Sequence, residues 1–218
     1  LGSNGGAPSV SGDVGFVVTE RSNRHYGYGN GLRYSFNRNF MAKLTYEYAI
    51  RMPRQDEILG DGQFVVKNLE LNPERSHNAN LELEFNQINN SSPWQIKSNF
   101  FMRRITDLIL LLPATDRSSI YQNVFEANSI GLEMAGKWSG FKEKLNVDFN
   151  ATYQHFYNSS KEGAFEAFYG DRIPNMPFLF ANSQASYAWR NTFAESDKLS
   201  FFWSARYVHE FYRSWESA

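Results

Sequence analysis

Residues 51–85 read RMPRQDEILGDGQFVVKNLELNPERSHNANLELEF, and the change of pattern inside this stretch decides the class of fold. Its end alternates strictly: His77, Ala79, Leu81, Leu83 and Phe85 interleave with Ser76, Asn78, Asn80, Glu82 and Glu84. The segment just before it does the same, with Phe40, Ala42, Leu44, Tyr46, Tyr48 and Ile50 set against Met41, Lys43, Thr45, Glu47, Ala49 and Arg51. Successive side chains of a strand point to opposite faces, so each flank is a strand with one apolar and one polar face. Between the flanks lies a polar excursion broken by Pro53, Gly60, Gly62 and Pro73. Such a pattern fits a sheet with water on one side and either a protein core or lipid on the other.

Working outward, the alternation recurs along the whole chain. Strands are expected over about residues 26–36 and 40–52, then 76–87, 94–112, 120–138, 144–157, 177–189 and 198–211, eight in all, each antiparallel to the next. Connections of two kinds rotate. Those at 37–39, 87–93, 139–143 and 190–197 are short, whereas 53–75, 113–118 and 158–173 are read as loops, mostly longer. One rim of the sheet then carries tight turns and the other long loops, an asymmetry typical of outer-membrane barrels. The Gly/Ser/Asn-rich lead, residues 1–15, has no periodicity and reads as loop. With no repeat, linker or second composition regime, residues 1–218 read as one unit.

Composition narrows the choice. The chain has 218 residues, and 17% of them are aromatic, more than a water-soluble core ordinarily uses. Tyr and Trp gather toward the strand ends (Tyr46, Tyr48, Trp94, Trp138, Trp189), with aliphatic residues and Phe between them, as in the aromatic girdles that flank a lipid-facing band. A net charge of −1, from 22 basic and 23 acidic residues, offers no basic excess for nucleic acid. There is no cysteine, which removes disulfides, thiolate metal sites and cysteine nucleophiles. No apolar run approaches the ~18 residues of a membrane helix, and the mean hydropathy of −0.52 is what alternating barrel strands produce. Strands of about 12–19 residues are long for a soluble sandwich, whose strands cluster near ~5–6. The fold class expected is therefore all-β: an antiparallel up-and-down transmembrane barrel, with a soluble β-sandwich as the competing architecture.

Three motifs sharpen this. Arg51, Pro53, Glu57 and Gly60 are followed by Asn68, Leu71, Pro73, Glu74, Ser76 and Asn78; later come Tyr121, Asn123, Gly131 and Glu133, and then Arg172, Pro174 and Pro177. In this order the chain resembles the C-terminal barrel region of TonB-dependent outer-membrane receptors. That resemblance implies about eight strands of a larger barrel of roughly 22 strands, located in the bacterial outer membrane, with the plug domain and the final strand outside this chain. It also implies a gated importer that binds a scarce substrate such as a siderophore or oligosaccharide, contacts outer-membrane lipid, and draws energy from the TonB complex through the plug. The alternatives are a small, complete outer-membrane barrel with a structural or adhesive role, and a soluble binding sandwich.

No catalytic constellation is apparent: there is no Gly-x-Ser-x-Gly, phosphate loop or His-Glu-x-x-His, so no enzyme activity, cofactor or metal is expected. His25, His77, His155 and His209 lack metal spacing, and the last three fall in phase with apolar faces near strand ends, where an interfacial role is expected. In a wide barrel the ligand meets the long loops, which makes Arg51, Arg54, Gln55, Glu57, Asp61, Asn72 and Arg75 the candidate contacts in the first loop. Phe165, Phe168 and Tyr169 are those in the second. Competing with this, Arg51, Glu57 and Glu74 are positioned to brace the first loop through ion pairs.

Overall fold

The computed structural model describes residues 24–87, 92–191 and 193–216; the lead at 1–15 and the centre of the turn after residue 87 lie outside the described residues. Eight strands follow one another in space as they do in sequence, every pair antiparallel: β1 (Tyr28–Ser35), β2 (Phe40–Arg51), β4 (Glu74–Gln87), β5 (Trp94–Thr115), β6 (Ser118–Gly140), β7 (Leu145–Asn158), β8 (Leu179–Arg190) and β9 (Lys198–Val208). A two-residue strand, β3 (Val65–Val66), pairs in parallel with β6. All belong to one sheet, which sets the two-sheet sandwich aside.

Register keeps the two faces apart. Leu32, Leu44, Leu81, Phe100, Leu132, Tyr153 and Leu179 are direct partners in sequence across the sheet. On the other face Arg33, Lys43, Glu82, Asn99, Glu133 and Thr152 form the corresponding row. A slip of one residue would exchange these rows, so the pattern itself specifies the pairing. Ion pairs and side-chain hydrogen bonds cross the polar face: Lys97 to Glu84 at 3.3 Å, Lys137 to Asp148 at 3.7 Å, and Asn99 Nδ2 donating to Glu133 at 2.9 Å. Gly131 sits where an added Cβ would meet the Phe101 ring and the Tyr153 carbonyl, so the ring lies flat against the strand.

Residues 113–118 are not the loop the sequence suggests. β5 runs on to Thr115 and β6 resumes at Ser118, making a hairpin of 22- and 23-residue strands that stands above the rest. Pro113 is accommodated because the ladder changes register between Pro113 and Thr115, the kind of irregularity at which a missing N–H is tolerated. Thr115 Oγ1 closes the turn, accepting from the backbone N–H groups of Arg117 and Ser118. The apolar run at 108–112 explains the extra height, since a strand apolar at consecutive positions is one covered on both faces. Asp107, at φ 58°, shifts the phase so that Leu108, Leu110 and Leu112 join Ile105 in one cluster with Val124, Ala127, Ile173 and Trp215.

The polar excursion is also more ordered than its composition suggests. It contains a short helix, α1 (Gln55–Leu59), besides β3. Strand ends otherwise differ from the expected bounds by a few residues, most at β9, which stops at Val208.

Candidate functional site

The first long connection is held by a carboxylate pair on either side of one guanidinium. Arg51 ends β2 and Glu74 opens β4, and the two are cross-strand partners. Arg51 Nη1 donates to both oxygens of Glu57 at 3.0 Å, while its Nε and Nη2 donate to Glu74 Oε2 at 3.3 and 3.1 Å. The planar fork of arginine suits it to bridge two carboxylates in this way. Glu57, only 4% exposed, also accepts from the backbone N–H of Arg54 at 2.8 Å and so caps α1. Glu74 in turn accepts from the Ile109 N–H, tying the brace to the tall hairpin.

Past α1 the chain reverses at Gly60, whose φ of 66° favours glycine and whose missing Cβ leaves room for the Val65 carbonyl. Asp61 Oδ1 then accepts from the N–H groups of Gln63, Phe64 and Val65 at 2.7–2.9 Å. These donors, Val65 foremost, hold the carboxyl below its ordinary pKa. From there the loop is stitched to β6. Asn68 Nδ2 donates to the Tyr121 carbonyl at 2.8 Å, Asn123 Oδ1 accepts from the Asn72 N–H at 2.8 Å, and Asn123 Nδ2 donates to the carbonyls of Asn72 and Asp107. Leu71 and Ile109 are buried in the same region.

The second long connection, between β7 and β8, folds around Asn158. This side chain is fully buried; its Nδ2 donates to the carbonyls of Phe165 and Phe168 at 2.7 and 2.9 Å, and its Oδ1 accepts from the Ser160 N–H at 3.0 Å. Ser160, also fully buried, both accepts from the Glu126 N–H and donates to the Glu126 carbonyl. Phe165 and Phe168 then pack on the apolar cluster of the hairpin, where Trp215 stacks on Phe168 with centroids 4.9 Å apart and planes 9° from parallel. The two loops therefore reach the hairpin through different strand positions: the first through Ile109, Tyr121 and Asn123, the second through Leu108, Leu110, Leu112 and Val124.

These contacts sort the residues singled out from sequence. Arg51 and Glu57 belong to the brace, and Asn72 is fixed to Asn123 through both its backbone groups. Arg75 lies 3.8 Å from Asp107, and Phe165 and Phe168 pack inward. Asp61 uses one oxygen for the turn. Arg54 reaches Asp56 at 3.2 Å and Glu57 at 3.5 Å yet stays largely exposed, and Gln55 and Tyr169 are exposed as well. The structure thus joins Arg51, Arg54, Glu57, Asn72 and Arg75 to the first-loop scaffold and places Phe165 and Phe168 on another, with Gln55 and Tyr169 on neither. Asn158, Ser160 and Trp215 were not singled out from sequence. The run at 108–112 was the available signal that something must cover the hairpin. Among the described residues no group of three or more His, Asp or Glu side chains is arranged to hold a metal ion.

A family model described as "TonB dependent receptor-like, beta-barrel" matches residues 3–216. No curated protein sequence matches. Among solved structures, copper transporter OprC superposes with a TM-score of 0.57 at 18% identity, over 80% of this chain and 25% of its own. The siderophore receptor PirA from Pseudomonas aeruginosa gives 0.54 at 18% identity, covering 84% of this chain and 32% of the receptor. The FrpB iron transporter from Neisseria meningitidis gives 0.54 at 15%, covering 84% and 26%. At such identities the likeness is one of fold, and the chain spans about a quarter to a third of the length of these proteins. With a continuous antiparallel meander, segregated faces and a family match along nearly its whole length, the chain belongs to the TonB-dependent receptor family of bacterial outer-membrane β-barrel proteins.

Proposed function

We propose that this chain forms part of the wall and outer crown of a receptor that binds a scarce, chelated nutrient at the long-loop rim and imports it. The apolar face of the sheet meets membrane lipid and the polar face lines the lumen. Energy arrives from the TonB complex through a plug domain, and the chain itself performs no bond chemistry. The observation that carries this reading is that both long connections fold back onto one tall hairpin at the same rim. Such an arrangement presents exposed polar and aromatic groups on a stiff support, which lowers the ordering cost of binding. Solved relatives of this fold are a copper transporter, a siderophore receptor and an iron transporter, so metal chelates are the substrate class to try first.

Within the crown, Arg54, Gln55 and Tyr169 are the proposed ligand contacts, because their side chains are exposed. Arg51, Glu57, Asp61, Asn72, Arg75, Phe165 and Phe168 act as their support. The test uses the full-length receptor and a panel of ferric siderophores and Cu(II), with binding read by intrinsic tryptophan fluorescence and uptake by metal content of depleted cells. Arg54→Ala combined with Tyr169→Ala is expected to weaken binding of the cognate chelate at least tenfold with folding unchanged. Unaltered affinity and uptake in that variant would reject these contacts, and no binding of any chelate by the parent receptor would reject the substrate class.

A further inference from the structure

The apolar face is not uniform from rim to rim. Toward the short turns it carries Phe40, Phe85, Trp94, Trp138, Leu145, Tyr187, Trp189, Leu199 and Phe201, and none of the described paired strand positions on this face there is cationic, Arg38 and Lys142 lying in the turns themselves. Lys137, Lys144, Arg190 and Lys198, near the same rim, all alternate onto the polar face. Toward the long loops the apolar face changes character. Its last positions hold Arg75, His77, Arg104 and His155.

Two of these residues, His77 and Arg104, lie on one cross-strand row. Tyr48, His77, Arg104, Asn128 and Tyr157 are successive partners, and Tyr157 bridges to Arg172 beyond the last of them. The imidazole of His77 is fixed by Tyr46, whose hydroxyl lies 2.7 Å from Nδ1, and it packs on Tyr48 at 4.8 Å. Arg172 lies over the Phe178 ring at 4.2 Å. Arg104 is anchored at Nε by Glu126, 2.8 Å away, and its side chain is 64% exposed. Its terminal nitrogens are thus presented outward from a fixed stem.

We propose that the His77–Arg104 pair in this row binds the phosphate of a lipid headgroup in the leaflet on the long-loop side. The inference rests on the reading of the apolar face as the lipid-facing one. An arginine on that face is tolerated only near headgroup level, and a guanidinium with free N–H groups beside imidazole and phenol donors is suited to phosphate oxygens. The one-sided placement selects one leaflet, which a general need for interfacial polarity would not do. Neighbouring strands are about 4.8 Å apart, so His77 and Arg104, direct cross-strand partners, are close enough to meet one phosphate together.

The full-length receptor, purified from outer membranes in mild detergent, tests this through its retained lipid phosphate per protein, measured by native mass spectrometry and after washing with inorganic phosphate. Arg104→Gln with His77→Gln is expected to lose retained lipid several-fold, Arg104→Lys to lose less, and the polar-face control Lys144→Gln with Lys198→Gln to match the parent. Retention equal to the parent in the first variant overturns the proposal, as does loss of the lipid on washing with inorganic phosphate. Leu81→Cys, in a full-length receptor from which any other cysteine has been removed (these 218 residues hold none), checks the underlying reading. Protection from a water-soluble maleimide in membranes supports it, and labelling overturns it along with the headgroup site. If the double variant misfolds, Arg104→Gln alone, at an exposed side chain, carries the same comparison.

Discussion

At the scale of single residues, the motif positions act through what they hold in place. Glu57 receives two bonds from Arg51 and one from the Arg54 N–H while nearly buried, so Glu57→Ala leaves those donors to compete for water. A loss of about 1–3 kcal/mol in local loop stability is expected, read as faster amide exchange through α1 with the central strands unaffected. Asp61 gives a pH-dependent counterpart. Its folded pKa lies below the ordinary 3.8, so its stabilisation is fully present above that value and is lost as pH falls through the depressed one. Exchange protection at Val65 should therefore survive from neutral pH to below 3.8 and fail only in stronger acid, and its loss already near pH 6 would contradict the assignment. Gly131 is required for space: Gly131→Val drives a side chain into Phe101 and is expected to cost about 1–3 kcal/mol, partly restored by Phe101→Ala and measured as the urea midpoint of the refolded receptor.

At the scale of elements, the tall hairpin and its two loops form one construction. Asn158 is the hub of the second loop; its replacement by Ala leaves the Phe165 and Phe168 carbonyls and the Ser160 N–H buried without their partner. About 2–4 kcal/mol of destabilisation is expected, confined to the crown. Trp215→Ala should cost about 3–5 kcal/mol there and expose Phe165 and Phe168 to proteolysis between β7 and β8. If limited proteolysis of that variant instead cuts first within β2 to β5, the packing described for Trp215 is wrong. The strands themselves were legible in sequence because alternation, register and turn length all derive from the same period of two. The hairpin extension was legible only in retrospect. Pro113 and the polar residues after it look like a loop; they extend the strand because the ladder of the buried positions beneath them continues through Pro113–Ser119 and Thr115–Ser118, and the residues that bury Leu108, Leu110 and Leu112 include Ile173 and Trp215, far off in sequence. For the same reason the sequence pointed to Arg51, Glu57 and Glu74 as a possible brace, since they carry opposite charges at the mouth of one loop. It gave no sign that Asn158 would organise another, because a buried asparagine is defined by the carbonyls around it.

At the scale of the whole molecule, the sheet divides space into two environments. From the His77 row to the Gln87–Trp94 row the apolar face extends about 34 Å along β4, or roughly 26 Å along a barrel axis at a tilt of about 40°, which is the height of a lipid-facing band. The opposite face is laced by Lys97–Glu84, Asn99–Glu133 and Lys137–Asp148, as befits a wet lumen. In the proposed receptor the long-loop crown stands outside the membrane and the short turns face the periplasm. The most direct test of this account is maleimide labelling of single cysteines placed along β4 in intact outer membranes, from position 77 to position 85. The account predicts strict alternation, with Asn78, Asn80, Glu82 and Glu84 positions labelled through the lumen and Ala79, Leu81 and Leu83 positions protected by lipid; uniform labelling of both sets would contradict it.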